Sequence, residues 1–139
     1  GLGDVYKRQI ELEIEPMEAK VIGDVNQLRF LLENLIDEAL TVREDGVIRL
    51  QARKDNEYIR FLFTDTRREK SVEELNQLFY PNLARMTSGE KGELRGTEYL
   101  VCKQIIRDHD EFAGRRGCRI NAEPAEGGGF TVYFTIPRR

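Results

Sequence analysis

A carboxylate closes an alternating apolar run: Tyr58 to Thr64 reads YIRFLFT, and Asp65 follows it. At the rim of a core such a group can accept hydrogen bonds. Thr66, Arg67, Arg68 and Glu69 come next, without a glycine. The two guanidiniums could grip phosphate oxygens, or be plain solvated arginines. Upstream, Asn34, Glu38 and Thr41 fall within about 60° of one another on a helical wheel, opposite a leucine stripe, so they could face a ligand together. The other reading is a solvent-facing polar stripe. Downstream, Gly96-Thr97-Glu98 opens a further helix, where free backbone N–H groups would favour an anion. Glu98 suits that helix start and would repel a phosphate there.

Little else offers chemistry. His109 stands alone in a polar stretch, Arg107-Asp108-His109-Asp110-Glu111, and reads as a surface or helix-end residue. Cys102 and Cys118 allow at most one bridge and read as small core residues in a reducing compartment. No nucleophile-base pair and no cluster of metal ligands stands out. The net charge of −3 and the scattered pairs Arg67-Arg68, Arg115-Arg116 and Arg138-Arg139 argue against a nucleic-acid surface. A chain that is 40% hydrophobic and 34% charged, without an apolar run near ~18 residues, predicts a globular domain with no direct membrane contact.

The elements that must position these residues follow from periodicity. Ile10, Leu12 and Ile14 alternate with glutamates, giving a half-buried strand closed by Pro16. Val21-Ile22 is a second, shorter extended piece. Asp24, with Gln27 three residues on, predicts a capping box, and Leu28, Leu31, Leu32, Leu35, Ile36 and Ala39 recur at helical spacing behind it. Val47 to Ala52 and Tyr58 to Thr64 form a hairpin through Asp55-Asn56. Ser71 and Glu74 cap a short helix with Val72, Leu75, Leu78 and Phe79 on one stripe, ended by Pro81. Asn82 to Arg95 reads as a mobile loop. A helix from about Thr97 to Arg107, apolar round most of its circumference, is expected to be buried between layers. Two strands, Cys118 to Ala122 and Phe130 to Ile136, finish the chain across a glycine-rich turn. The sum is α/β: a two-layer sandwich, a mixed sheet of about five strands with three helices on one face. The outer sheet face, with Arg49, Gln51, Thr131, Tyr133 and Thr135, is polar enough to meet water or a partner domain. Gly1 to Gln9 fit no element and read as a non-native linker or sequence artefact, leaving a domain over residues 10–137 that would be the C-terminal fragment of a larger protein.

This order of segments resembles the ATPase domain shared by histidine kinases, gyrase, mismatch-repair and heat-shock chaperone ATPases, over nearly the whole chain. The histidine-kinase flavour rests on the helix from Asp24 to Leu40, the hairpin into Asp65, Leu78-Phe79-Tyr80-Pro81, Cys102-Lys103-Gln104-Ile105-Ile106, and Gly127-Gly128-Gly129-Phe130 running to Ile136-Pro137. The resemblance implies that Asp65 accepts the adenine amino group, that Asn34 matches the first of two asparagines on the first helix, and that Gly96 keeps one of the glycines beside the phosphates. It also implies departures. Glu38 stands where an asparagine ligates Mg²⁺, and Thr41 where a lysine meets phosphate. Arg67, Glu69, Leu94 and Glu98 fill glycine slots. An L-residue forced into left-handed geometry costs roughly 1–2 kcal/mol, so the turn after Asp65 is expected to take another course.

Two functional expectations follow. In one, the chain is a degenerate histidine-kinase-like ATPase domain, a pseudoenzyme with weak or no ATP binding that serves as a binding or regulatory module of a signal-transduction protein. Losses of about 1 kcal/mol or more at each altered position, at roughly 1.4 kcal/mol per tenfold, would carry micromolar affinity toward millimolar. In the other it is the active ATP-binding domain of a divergent two-component sensor histidine kinase, with Glu38 holding Mg²⁺. ATP and Mg are cofactors in the second reading only. Either way the expected partners are other domains of the same protein, a dimerisation or response-regulator domain among them. The expected compartment is the cytoplasm, including the cytoplasmic part of a membrane-anchored protein.

Overall fold

The computed structural model describes residues 10–14, 18, 20–41, 44–80, 98–114 and 116–139. The strands are β1 (Ile10–Ile14), β2 (Gly46–Asp55), β3 (Tyr58–Asp65), β4 (Ile120–Pro124) and β5 (Phe130–Pro137). The helices are α1 (Val25–Leu40), α2 (Val72–Gln77) and α3 (Glu98–Ala113). One mixed five-stranded sheet runs in the order β1-β2-β3-β5-β4. Its β1–β2 pair is parallel and the rest are antiparallel. The expected two-layer sandwich is what forms.

Alternation decides the faces. Ile48, Phe63, Val132, Phe134 and Ile120 turn to one side, where they share a core with Leu31 and Leu35 of α1, Leu75 of α2, and Cys102 and Ile106 of α3. The register places Phe63 opposite Val132 and Phe61 opposite Phe134, and the latter two rings stack at 5.0 Å. Burying each such side chain contributes about 1.5–3 kcal/mol. Ile36, expected in this core, is 36% exposed instead, and Leu32, Phe61 and Leu100 are half-buried. Ile36 lies on the flank of α1, where the leucine stripe is wider than the sheet contact it serves. Val72, expected on the α2 stripe, is exposed for the same reason: it occupies the first turn, beyond the buried Leu75, Leu78 and Phe79.

On the opposite face the polar strand residues pair among themselves. Thr64 and Thr131, opposite in register, hydrogen-bond at 2.8 Å. Thr135 Oγ1 donates to Gly117 O at 3.1 Å and accepts from Arg119 N–H at 2.9 Å. These bonds satisfy hydroxyls that are buried, on a face the sequence marks as polar enough to meet water or a partner domain. Val21 contributes an isolated bridge to Arg138, where a short strand had been expected. The expected linker at 1–9 and loop at Asn82 to Arg95 lie outside the described residues.

Both expected caps form, one with a substitution of partner. At α2, Ser71 Oγ accepts from Glu74 N–H at 3.1 Å while Glu74 Oε1 accepts from Ser71 N–H at 3.2 Å. At α1, Asp24 Oδ1 accepts from the N–H groups of Asn26 and Gln27, at 2.8 and 3.0 Å. The reciprocal half is not made by Gln27, whose Oε1 is buried without a partner. His109 makes it: its Nε2 accepts from Asp24 N–H at 3.1 Å. Far from being a surface residue, His109 is fully buried, with Nδ1 donating to Ile105 O at 2.7 Å and Phe112 edge-on at 5.2 Å. The ring needs an acceptor at Nε2 for this bond, which assigns the Nδ1–H tautomer.

Candidate functional site

Asp65 ends β3 at the centre of the sheet, beneath α1, where the register sets it between Ile48 and Phe130. Its approach to the β4–β5 turn depends on Gly129, since a side chain there would overlap the Asp65 carbonyl. Asp65 is 1% exposed, so its carboxylate must find partners within the fold. They come from two residues along the chain. Arg67 N–H and Nε donate to Oδ1 at 3.0 and 2.9 Å, and Nη2 donates to Oδ2 at 2.9 Å. The pair is bidentate and dry, with side-chain exposures of 0% for Arg67 and 2% for Asp65.

The same guanidinium closes a second account. α1 has no basic residue in its last turn, and its final carbonyls need donors. Arg67 Nη2 donates to Ala39 O, and Nη1 to Glu44 O at 3.4 Å. One planar cation thus ties the end of α1, the α1–β2 connection and the end of β3 together. The turn that carries it avoids left-handed strain: among the described residues the one non-glycine with positive φ is Asn56, in the β2–β3 turn. Thr66 holds the turn onto β2, exchanging bonds with Val47 at 3.0 and 3.1 Å. The expected other course is therefore a short side-chain-capped turn, with Arg67 directed inward. The Arg67 side chain, one of the sequence candidates for phosphate, has no exposed surface in this arrangement.

Among the described residues, Asn34, Glu38 and Thr41 each have a partner of their own. Asn34 Nδ2 donates to Phe30 O at 2.9 Å and Thr41 Oγ1 to Glu38 O at 2.7 Å, both within their own helix. Glu38 is half-buried and meets Arg68, Nη2 to Oε1 at 3.9 Å. Arg68 Nε is buried without a partner. Gly96 lies outside the described residues. Tyr99, in the first turn of α3, was not singled out by the sequence, yet it is 5% exposed and stands between Asp65 and Glu38. Its phenol is pushed well above the usual range by burial, the Glu38 carboxylate adding to this and Arg68 opposing it. Its ring packs edge-on against Phe79 at 5.6 Å.

The space beneath Asp65, walled by Leu35, Ala39, Phe63, Tyr99 and Phe130, amounts to about 10 Å³. That is the room of a single water. Both oxygens of the Asp65 carboxylate are engaged by Arg67. Glu38, the one candidate metal ligand, meets Arg68, and no group of three or more metal-ligating side chains occurs among the described residues.

Comparison with known proteins places this geometry. The family model described as histidine kinase-, DNA gyrase B- and HSP90-like ATPase matches residues 23–139. Sensor histidine kinase RcsC of Escherichia coli strain K12 is 26% identical over 137 residues, covering 95% of this chain. The chain spans 14% of that protein's length. Among solved structures, the mycobacterial sensor histidine kinase MprB superposes with a TM-score of 0.73 at 20% identity, over 99% of this chain and 89% of that one. The nucleotide-free catalytic domain of histidine kinase ThkA gives 0.70 at 22%, over 94% and 78%. Full-length ShkA, solved in complex with AMPPNP, gives 0.66 at 17%, over 95% and 26%. With the family model spanning most of the sequence and the fold shared with histidine kinase catalytic domains, this chain belongs to the histidine kinase-, gyrase B- and HSP90-like ATPase family, as a histidine-kinase-like ATPase domain.

Proposed function

We infer that this domain is a degenerate member of its family, a binding or regulatory module of a two-component signalling protein whose nucleobase slot is filled by its own Arg67. The observation that carries this reading is the dry bidentate pair between Arg67 and Asp65. A guanidinium is planar and presents parallel N–H donors to a carboxylate. It offers Asp65 what the amino edge of a purine would offer, without the cost of capturing a ligand from solution. Glu38 at the metal position and Tyr99 beside it support the same reading. The protein would act through other domains of its own chain, a dimerisation or response-regulator domain among them, in the cytoplasm. No helix among the described residues is long and apolar enough to cross a membrane.

The opposing reading, a working ATP-binding domain, keeps Asp65 and requires Arg67 to leave it. Thermal unfolding in millimolar Mg-ATP separates the two, because a ligand stabilises by RT ln(1 + [L]/Kd). The expected result is no rise in Tm. Micromolar ATP binding that Asp65→Asn abolishes would establish a nucleotide pocket and end the degenerate reading.

A further inference from the structure

A roomy concavity lies away from Asp65, at the far edge of the sheet. It is an open groove of about 480 Å³ between β4, α2 and α3. Among the described residues β4 has a strand neighbour on one side only. Thr135 N–H donates to Arg119 O, so in the antiparallel alternation residues 119, 121 and 123 bond to β5. Ile120 and Ala122 therefore turn their N–H and C=O groups outward, and neither finds a backbone partner there among the described residues. An edge of this kind is a template for one more strand.

The walls of the groove say which strand. Lys103, Arg107 and Arg119 border it, against a single carboxylate, Glu123. None of the three cations has an acidic partner among the described residues. Lys103 is held over the Tyr80 ring at 4.4 Å, which fixes its ammonium at the mouth. Asn121 and Glu123 are exposed, so the approach to the strand is open. The geometry points to β4 as a docking edge for an extended acidic peptide segment of a partner protein, added antiparallel or parallel as a sixth strand. Main-chain bonds to Ile120 and Ala122 would set its register, and carboxylates on alternate residues would meet the cations. The inference is independent of whether nucleotide binds, because the groove shares no named residue with the space beneath Asp65.

The test uses the 139-residue chain and an end-blocked, fluorescein-labelled peptide of alternating Glu and Val. A Lys/Val peptide of the same pattern and a short single-stranded DNA serve as controls. Fluorescence anisotropy is expected to show saturable, salt-sensitive binding of the acidic peptide alone, with amide shifts at Ile120 and Ala122. Arg107→Glu with Arg119→Glu should weaken it at least tenfold. Ala122→Pro, which removes an outward donor and leaves the β5 ladder in place, should abolish it. If the proline variant fails to fold, the charge pair still decides. Absence of binding, equal binding of both peptides, or binding of the DNA without shifts at Ile120 and Ala122 would overturn the assignment.

Discussion

Gly46 and Arg67 compete for one space. A Cβ built on Gly46 would overlap Arg67 Cγ and touch its Cδ at 3.0 Å, so the arginine can fold back to Asp65 only across a residue without a side chain. The start of β2 and the turn after β3 are thereby matched to each other. Gly46→Ala is expected to cost about 1–3 kcal/mol by crowding. In an Arg67→Ala background the same change should cost clearly less, since the overlap with Arg67 is gone and only the positive φ and the contact with Thr66 Oγ1 at 3.3 Å remain. Urea unfolding of the four proteins reads the cycle, and an equal cost in both backgrounds would refute the steric link.

Removing either member of the buried pair leaves the other uncompensated. Arg67→Ala and Asp65→Asn are each expected to destabilise by about 3–5 kcal/mol. The double variant should cost clearly less than their sum, because the two losses are one interaction counted twice. Additive effects, or single losses below about 1 kcal/mol, would show that the pair is not dry in solution.

His109 fastens the start of α1 to the last turns of α3. His109→Phe keeps a ring but leaves Asp24 N–H without its acceptor, a loss of about 1–3 kcal/mol. Gly23→Ala should act on the same joint, since a Cβ there meets the imidazole at 2.8 Å. Amide exchange offers the sharper readout. The Asp24 N–H, protected by a bond to Nε2 at 3.1 Å, should exchange much faster in the phenylalanine variant, and unchanged protection would exclude the bond.

Tyr99 makes an alkaline prediction. Its folded-state pKa is raised above the ordinary 10.0, so the folded chain holds a proton that the unfolded chain releases. That stabilisation is complete below pH 10 and is lost as pH rises through the folded value. Tyr99→Phe should therefore have a flatter stability profile above pH 10 than the parent. Parallel profiles would show that the phenol is solvated.

The elements were legible because they rest on local patterns that repeat. Leucines at helical spacing gave α1, strict alternation gave the β2–β3 hairpin, and Ser71 with Glu74 gave the start of α2. What escaped were single long-range partnerships. Nothing local says that His109 will reach a backbone 85 positions away, because a polar neighbourhood in sequence need not be a polar neighbourhood in space. Arg67 was read as facing outward since arginines usually do. Its real position depends on Gly46, Ala39 and Glu44, residues 21 to 28 positions earlier. The one local clue was negative: a strand-end carboxylate followed by an arginine where glycine would be expected.

The dry pair at the end of β3 also sets a direction for change. A chain that lost Arg67 in a single step would carry a buried, unmatched carboxylate, and the resulting 3–5 kcal/mol is about the size of many domains' whole margin. A small molecule able to take the vacated place would have to be present at roughly a thousand times its Kd to return about 4 kcal/mol. An arrangement that answers Asp65 from within is therefore easy to keep and hard to leave. On the proposed reading, a ligand there calls for several substitutions made together, and selection acting one residue at a time meets a valley before it meets a gain.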